Sequence, residues 1–529
     1  MFRKNGNNFF SIGGQVNNSS AGSEEDMERA LKAIRQFHMN TIAVPIYWYQ
    51  VEPVEQMYNF DQIDMILKIA EENELKVVLL WFGTWKNGAS HYVPEWIKRD
   101  KNRFLWACNA AGARSRALSP VGMQTMDADR RTVSEILRYL KVKDEHKTVI
   151  AFQIENEPGL LGTPRDYSEE SNRMFDALLP ENMQEFLGGL TEGTVWEAWK
   201  ENGFRKNASW NQSFGLLAEE MFSAYCFSRY VECVAAAGKK EYEVPMYVNV
   251  WVRETQNRLP GIDYPSGGAT SLVLDIWKYF APHIDCICPD IYFSDRDTYE
   301  EICRCYDRED NVLYIPESHA SDMNALHLFR AVEKYGLSGI HCFAIDSTID
   351  NDGNLRPECV QFRNAVDILA SMKPLLEKYH GSGRIYAVTQ YEHMDSQFFD
   401  FGDFWGRVYF LNSITDEPYI HLDNHHDDRE HVEVRGKGLI VYAGNGEFYL
   451  AGDGYKLILI KKDSMEYATS AMRGFKYLNA RNQEYIVVEE GRIGDNEMFE
   501  TKKIRCGDES DMGLWVCHDI GLVHAIAEL

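Results

Sequence analysis

Positive charge is what this chain lacks most. It has 55 lysines and arginines against 81 aspartates and glutamates, for a formal charge of −26. So acidic a surface repels phosphate backbones and anionic headgroups, which excludes nucleic acid and a membrane surface as partners. Long apolar runs are missing too. No window approaches a bilayer span, and Met1-Phe2-Arg3-Lys4-Asn5-Gly6 is not followed by an apolar stretch of signal-peptide length. Paired metal-binding cysteines are also missing. The 11 cysteines are scattered and odd in number, and Cys286/Cys288 and Cys303/Cys305 are C-x-C, not the C-x2-C of a zinc ribbon. Cys286 and Cys288 fall on one face of an expected strand and read as buried thiols. The pattern favours a reducing compartment, so the expected location is cytoplasmic. His425-His426-Asp427-Asp428 is a contiguous polar run, not a spaced ligand set, and reads as a solvated turn, so no metal is expected. No Gly-x-Gly-x-x-Gly follows a strand, and no phosphate loop or serine nucleophile elbow occurs, so no cofactor is expected.

What is present is an alternation. Eight apolar strand candidates occur in order, at residues 9–16, 40–47, 76–82, 148–154, 244–252, 285–293, 312–316 and 339–345. Most are separated by helical periodicity. Ser23 and Asp26 open a helix striped with Met27, Leu31 and Ile34, and residues 61–72 carry Ile63, Ile66, Leu67 and Ala70 on one face. Residues 127–142, 216–237, 325–335 and 357–380 read as further helices. The count predicts an α/β fold, a (β/α)8 TIM barrel rather than an open sheet. Residues 83–124 and 158–214 are too long for ordinary turns and are expected to build pocket wall. Gly381-Ser382-Gly383 reads as a linker. Beyond it come short alternating runs, with turn signals at Asn445-Gly446 and Asp453-Gly454. The expected division is a catalytic barrel over 1–380 and a β-sandwich-like accessory domain over 381–529, which buttresses the barrel or mediates homo-oligomer assembly.

The chemistry concentrates where two of these strands end. The run 148–154 stops at Glu155-Asn156-Glu157 before Pro158-Gly159 breaks the chain, and the run 312–316 stops at Glu317. Carboxylates at the carboxyl ends of buried barrel strands sit where barrel active sites form. Two of them facing each other across the mouth are the equipment of a glycosidase. Glu157 and Glu317 are then the candidate pair for the general acid/base and the nucleophile. Strand alternation puts Glu155 on the same face as Glu157, as an acceptor for a substrate hydroxyl or as partner to a buried arginine. Gln15, Asn17 and Asn18 end the first strand, Trp85 lies past the third, Asn249 and Trp251 end the fifth, and Asp346 ends the eighth. Each is a candidate for lining the pocket or for a local structural role. His319 reads as a hydrogen-bonding neighbour of Glu317 rather than a ligand.

Asn156-Glu157 after one apolar strand, with Glu317 ending a later one, resembles the clan of (β/α)8 retaining glycoside hydrolases. More narrowly, four motifs are similar to glycoside hydrolase family 35, the β-galactosidases, in the bacterial branch with a β-rich C-terminal domain. They are Gly14-Gln15-Val16-Asn17-Asn18-Ser19-Ser20, Trp81-Phe82-Gly83-Thr84-Trp85-Lys86-Asn87-Gly88, Ile154-Glu155-Asn156-Glu157 and Gly446-Glu447-Phe448-Tyr449-Leu450-Ala451-Gly452. The resemblance implies a retaining, exo-acting β-galactosidase taking a glycoside or oligosaccharide substrate. In it, Glu157, following Asn156 on the fourth strand, would be the general acid/base and Glu317, ending the seventh, the nucleophile, while Asn156 would bond the sugar 2-hydroxyl and Tyr292 would orient the nucleophile. The sequence departs from the commoner pattern at Pro158, where many members carry a bulkier residue, and in reading Ile-Pro-Glu-Ser on the seventh strand. The alternatives are a related glycosidase on a β-glucoside or α-L-arabinopyranoside, an endo-acting glycanase, or a non-catalytic carbohydrate-binding barrel.

Overall fold

Seven parallel strands run side by side in a computed structural model of the chain. It describes residues 2–4, 7–253, 258–391, 394, 396–410, 435–462, 483–494, 498–511 and 513–529. The strands are β1 (Ser11–Gln15), β2 (Thr41–Tyr47), β3 (Lys76–Lys86), β4 (Val149–Asn156), β5 (Met246–Trp251), β6 (Cys286–Asp290) and β7 (Gly339–Phe343). Their order is β6-β5-β4-β3-β2-β1-β7. The gap between β6 and β7 is closed by extended residues 311–318. Ile315 pairs in parallel with Ile340, and Ile291 with Ser318. The Ile315 amide donates to the Gly339 carbonyl at 3.1 Å and the Ile291 amide to the Glu317 carbonyl at 3.0 Å. Pro316 has no N–H to give, which accounts for isolated bridges here in place of a regular ladder. The barrel therefore closes with eight staves.

A helix follows each stave: α1 (Glu24–Gln36), α2 (Asp61–Glu72), α3 (Met123–Lys143), α4 (Ala218–Glu241), α5 (Leu274–Phe280), α6 (Arg296–Tyr306), α7 (Asn324–Tyr335) and α8 (Val360–Tyr379). The stripes anticipated for α1 and α2 are buried against the sheet, Met27, Leu31 and Ile34 on one and Ile63, Ile66, Leu67 and Ala70 on the other. Every residue of β2 and β4 is buried, as staves covered on both faces require. At the start of α1 the Ser23 hydroxyl accepts from the Asp26 amide. It donates in turn to the Asp26 carboxylate at 2.8 Å, so the reciprocal bond of a full capping box is replaced by a side-chain pair. No helix among the described residues is long and apolar enough to cross a membrane.

After α8 the chain builds two antiparallel sheets. The larger runs in the order Ile385–Thr389, Lys437–Gly444, Glu447–Asp453, Leu522–Ala527, Tyr485–Ile493, Phe499–Ile504; the smaller runs Ser396–Asp400, Phe404–Phe410, Tyr455–Lys461, Leu514–Val516. Asn445-Gly446 makes the expected hairpin turn, both residues having positive φ (53° and 79°). Asp453-Gly454 also turns the chain between two strands, with Gly454 at a φ of 65°, but not as a hairpin. It is a corner carrying the chain from the larger sheet into the smaller, because the strands on either side belong to different sheets. The run 425–428 and Leu411, the last residue of one alternating run, lie outside the described residues. Cys286 and Cys288 share a face as expected, Sγ to Sγ 3.4 Å, and all 11 cysteines are free.

Candidate active site

Glu157 and Glu317 meet at the carboxyl-terminal mouth of the barrel. One carboxylate oxygen from each, with one from Asp290, lies within 4.8 Å of the others. All three residues are buried, none more than 6% exposed. Glu157 stands just past β4, Asp290 ends β6, and Glu317 lies on the closing segment 311–318.

Glu317 is held by donors on both oxygens. Gln15 Nε2 reaches Oε1 at 2.9 Å, Asn156 Nδ2 approaches the same oxygen at 3.5 Å, and the Tyr292 hydroxyl donates to Oε2 at 2.7 Å. Tyr292 packs edge-on against His319. Burial and the adjacent Glu317 push the Tyr292 phenol far above its ordinary range, so it stays a donor.

Glu157 is held by its backbone. Its amide donates to Asn249 Oδ1 at 2.9 Å, and Asn249 Nδ2 donates to Asp290 Oδ2 at 2.7 Å. One amide side chain thus aligns both carboxyl-bearing residues. Lys86 Nζ donates to Asn156 Oδ1 at 3.0 Å and to Asn87 Oδ1 at 2.8 Å. That contact turns the Asn156 amide nitrogen towards Glu317. Burial, and then the charge of Glu317, raise the Glu157 carboxyl to about 7; Lys86 pulls the other way. Asp290 is raised as well, by burial and by its two carboxylate neighbours.

Glu155 is not in this cluster, which corrects the expectation from strand alternation. Alternation requires extended backbone at each residue. Glu155 and Glu157 instead have φ of 59° and 45°, in the left-handed region. The Glu155 carboxylate turns to the outer side of the sheet, where the Trp85 amide donates to it at 2.6 Å. Asp129 of α3 lies beside it, in turn bonded by Trp81 Nε1, the Thr84 hydroxyl and the Tyr230 hydroxyl. Burial and Asp129 raise the Glu155 carboxyl well above its usual range, which fits two carboxyl groups sharing a proton. Its partner is an acid, not the arginine considered from sequence.

Trp85 is also displaced from its expected place. It is fully buried, its indole packs on Phe227 and Tyr230, and its Nε1 donates to the Leu118 carbonyl at 3.0 Å. Asp346 spends both oxygens on the loop after β1, accepting from the Asn17 amide at 2.9 Å and the Ser20 hydroxyl at 2.6 Å. Asn17 Nδ2 donates to Ser347, and the Asn18 carbonyl accepts from Tyr47. These contacts give Asp346, Asn17 and Asn18 local structural work. Trp251 is half-buried at the end of β5, in register with Asp290.

Asp290 and Lys86 were missed as site residues. Asp290 carries the same signal as Glu157 and Glu317, a carboxylate ending an apolar strand, and that criterion finds it when applied to the sixth strand. Lys86 has no such mark, because β3 runs four residues beyond the expected end at residue 82. The three carboxylates are close enough to share a cation, and among them Glu317 takes its donors from Gln15, Asn156 and Tyr292, and Asp290 from Asn249.

No curated protein matches the chain. Residues 18–212 match the model of glycoside hydrolase family 42, described as beta-galactosidase, and residues 362–517 match a domain of unknown function, DUF5597. The catalytic domain of a beta-amylase from Paenibacillus polymyxa is similar at 13% identity and a TM-score of 0.50, over 68% of this chain and 98% of that one. A beta-galactosidase from Bacillus circulans sp. alkalophilus is similar at 13% identity and a TM-score of 0.50, over 70% of this chain and 57% of that one. At such identity the two structures show the barrel fold. The family 42 match supports the barrel clan that the sequence motifs resemble, without singling out family 35.

Proposed function

We propose that this chain, a glycoside hydrolase of the (β/α)8 clan, is a retaining, exo-acting β-galactosidase working in the cytoplasm, with 1–380 as its catalytic barrel and 381–529 as an accessory domain. The observation that carries the reading is the approach of one Glu157 carboxylate oxygen to within 4.8 Å of one on Glu317. Retaining glycosidases hold their carboxyl groups about 5–5.5 Å apart, whereas inverting ones leave about 6.5–9.5 Å for a water. The family 42 description and the family 35 motifs both favour a β-galactoside over the alternative sugars. Eleven free thiols suit a reducing compartment.

In the first step a Glu317 oxygen attacks the anomeric carbon and the bond to the leaving oxygen breaks. Glu157 delivers its proton to that oxygen, and the product is a glycosyl ester on Glu317. In the second step water attacks the anomeric carbon, its proton passes to Glu157, and the ester bond breaks. A Glu157 carboxyl raised to about 7 is protonated often enough at neutral pH to act as the acid. Gln15 and Tyr292 fix the direction of Glu317 attack. Asn156, braced by Lys86, presents its amide to the sugar 2-hydroxyl.

A panel of aryl glycosides differing in sugar and anomer tests the reading. Turnover is expected on the β-galactoside, and Glu317→Gln reduces it by at least about 10³-fold with the fold intact. Glu157→Ala is expected to slow poor leaving groups most and to be partly rescued by azide. A panel without turnover, or near-normal activity in Glu317→Gln, removes the assignment.

A further inference from the structure

Asp290 has no role in the two steps above, yet it is 2% exposed and sits among the reacting carboxylates. Its Oδ2 takes the Asn249 amide at 2.7 Å, while its Oδ1 has no hydrogen-bond partner among the described residues. A buried carboxylate oxygen left in this way is costly unless a proton satisfies it. Glu157 and Glu317 lie with it in the same 4.8 Å cluster, and Glu157 is the one in hydrogen-bond contact with it. Asn249 holds the two residues in register, through the Glu157 backbone on one side and Asp290 Oδ2 on the other.

We propose that Asp290 is the positioning residue of the acid/base: it shares a proton with Glu157, so that Glu157 enters the first step protonated and aimed. The inference rests on the glycosidase reading of Glu157 and Glu317. Asp290 is itself raised by burial and by its two carboxylate neighbours, so the proton rests between it and Glu157 and passes through Glu157 as the leaving oxygen arrives. When Glu157 returns as the base, it takes the proton of the attacking water back into the same pair. No other group is consumed.

The surrounding titratable groups leave this pair in control. Tyr247 from β5, Tyr292 and Cys288 from the β6 region, Tyr306 from α6 and Tyr314 from the closing segment all lie close enough to Asp290 or Glu317 to interact with them. Burial raises each of them, so they remain neutral. The charges that bear on Glu157 are then Glu317 and Lys86, and Asp290 is its hydrogen-bonded partner.

The test is the pH profile of kcat/KM on a series of aryl glycosides for the unmodified protein, Asp290→Asn and Asp290→Glu, each checked for folding by its melting temperature. In Asp290→Asn the pair is reduced to one carboxyl, and the second negative charge that resists loss of the last shared proton is gone. The alkaline limb is expected to move down by about one pH unit or more, with a larger loss on poor leaving groups than on dinitrophenyl glycosides. Asp290→Glu keeps a carboxyl and is expected to restore the limb. An unmoved limb in Asp290→Asn, with equal loss on every leaving group, overturns the proposal, as does failure of both variants to fold. If the unmodified protein cleaves no glycoside at all, the functional reading itself fails, a result separate from either of these.

Discussion

The Lys86 ammonium lies 3.0 Å from Asn156 Oδ1 and lowers the proton affinity of Glu157, so its removal acts on two residues at once. In Lys86→Met the Asn156 amide loses its brace, and misplacement of this proposed sugar contact is expected to reduce kcat by about tenfold or more. The positive charge that opposed protonation of Glu157 is also gone. The carboxyl then rises above about 7, and the alkaline limb of kcat/KM is expected to move up by about one pH unit. That is the opposite direction from Asp290→Asn. A pH titration of initial rates reads both shifts, and a limb that stays in place in Lys86→Met counts against its electrostatic hold on Glu157. At this scale the sequence was legible for groups whose position follows from where a strand ends. Glu157, Glu317, Asn156, Tyr292, Gln15 and Asn249 all gather at the mouth. It was illegible where backbone conformation, not pattern, decides direction. Two left-handed residues, 155 and 157, send their side chains to opposite sides of the sheet, and nothing in Glu-Asn-Glu announces them.

Within the barrel the staves constrain one another through their inward faces. Gly13 of β1 lies against the His341 ring of β7, and a Cβ placed there would come within 2.4 Å of His341 Nε2. That ring is fully buried and bonded on both nitrogens. Ser11 Oγ lies 2.8 Å from Nε2 and the Tyr314 hydroxyl 3.0 Å from Nδ1. Burial lowers the imidazole to about 3, so it is neutral. Gly13→Ala must therefore displace a ring that bridges β1, β7 and the closing segment. The expected loss is about 1–3 kcal/mol, seen as a lower denaturation midpoint with an unchanged slope in urea. An unchanged midpoint would mean the ring can move freely. The sequence showed most elements here, because buried parallel staves leave unbroken apolar runs and surface helices leave stripes. It did not show α5, only seven residues long, nor α6, whose polar exposed face dilutes its apolar stripe.

The largest-scale question is whether the barrel stands without the β sheets. Its hydrophobic core does not stop at the linker. Ile385, Ala387, Leu439, Val441, Ala451 and Leu522 of the larger sheet are buried in the same cluster as Phe362, Leu369 and Leu376 of α8. The smaller sheet packs on the other side of the larger one, around Phe401, Phe404, Phe448 and Leu457, in a separate cluster. Polar contacts fasten the first interface as well. Lys437 Nζ donates to Gln361 at 2.7 Å, and His518 Nε2 lies 3.2 Å from the Asp367 carboxylate. The outer face of α8 is thus apolar and covered, unlike a helix that ends a free-standing barrel. Cutting the chain after residue 380 would bare that face, and contiguous apolar patches of this kind drive association. The 1–380 fragment is therefore expected to be recovered as aggregate, or to melt well below the full chain, although both proposed catalytic glutamates lie within it. Size-exclusion chromatography and a thermal melt of the fragment beside the full chain check this. A monomeric fragment with an unchanged melting temperature would make residues 381–529 an independent appendage and leave the continuity of the core without consequence for stability.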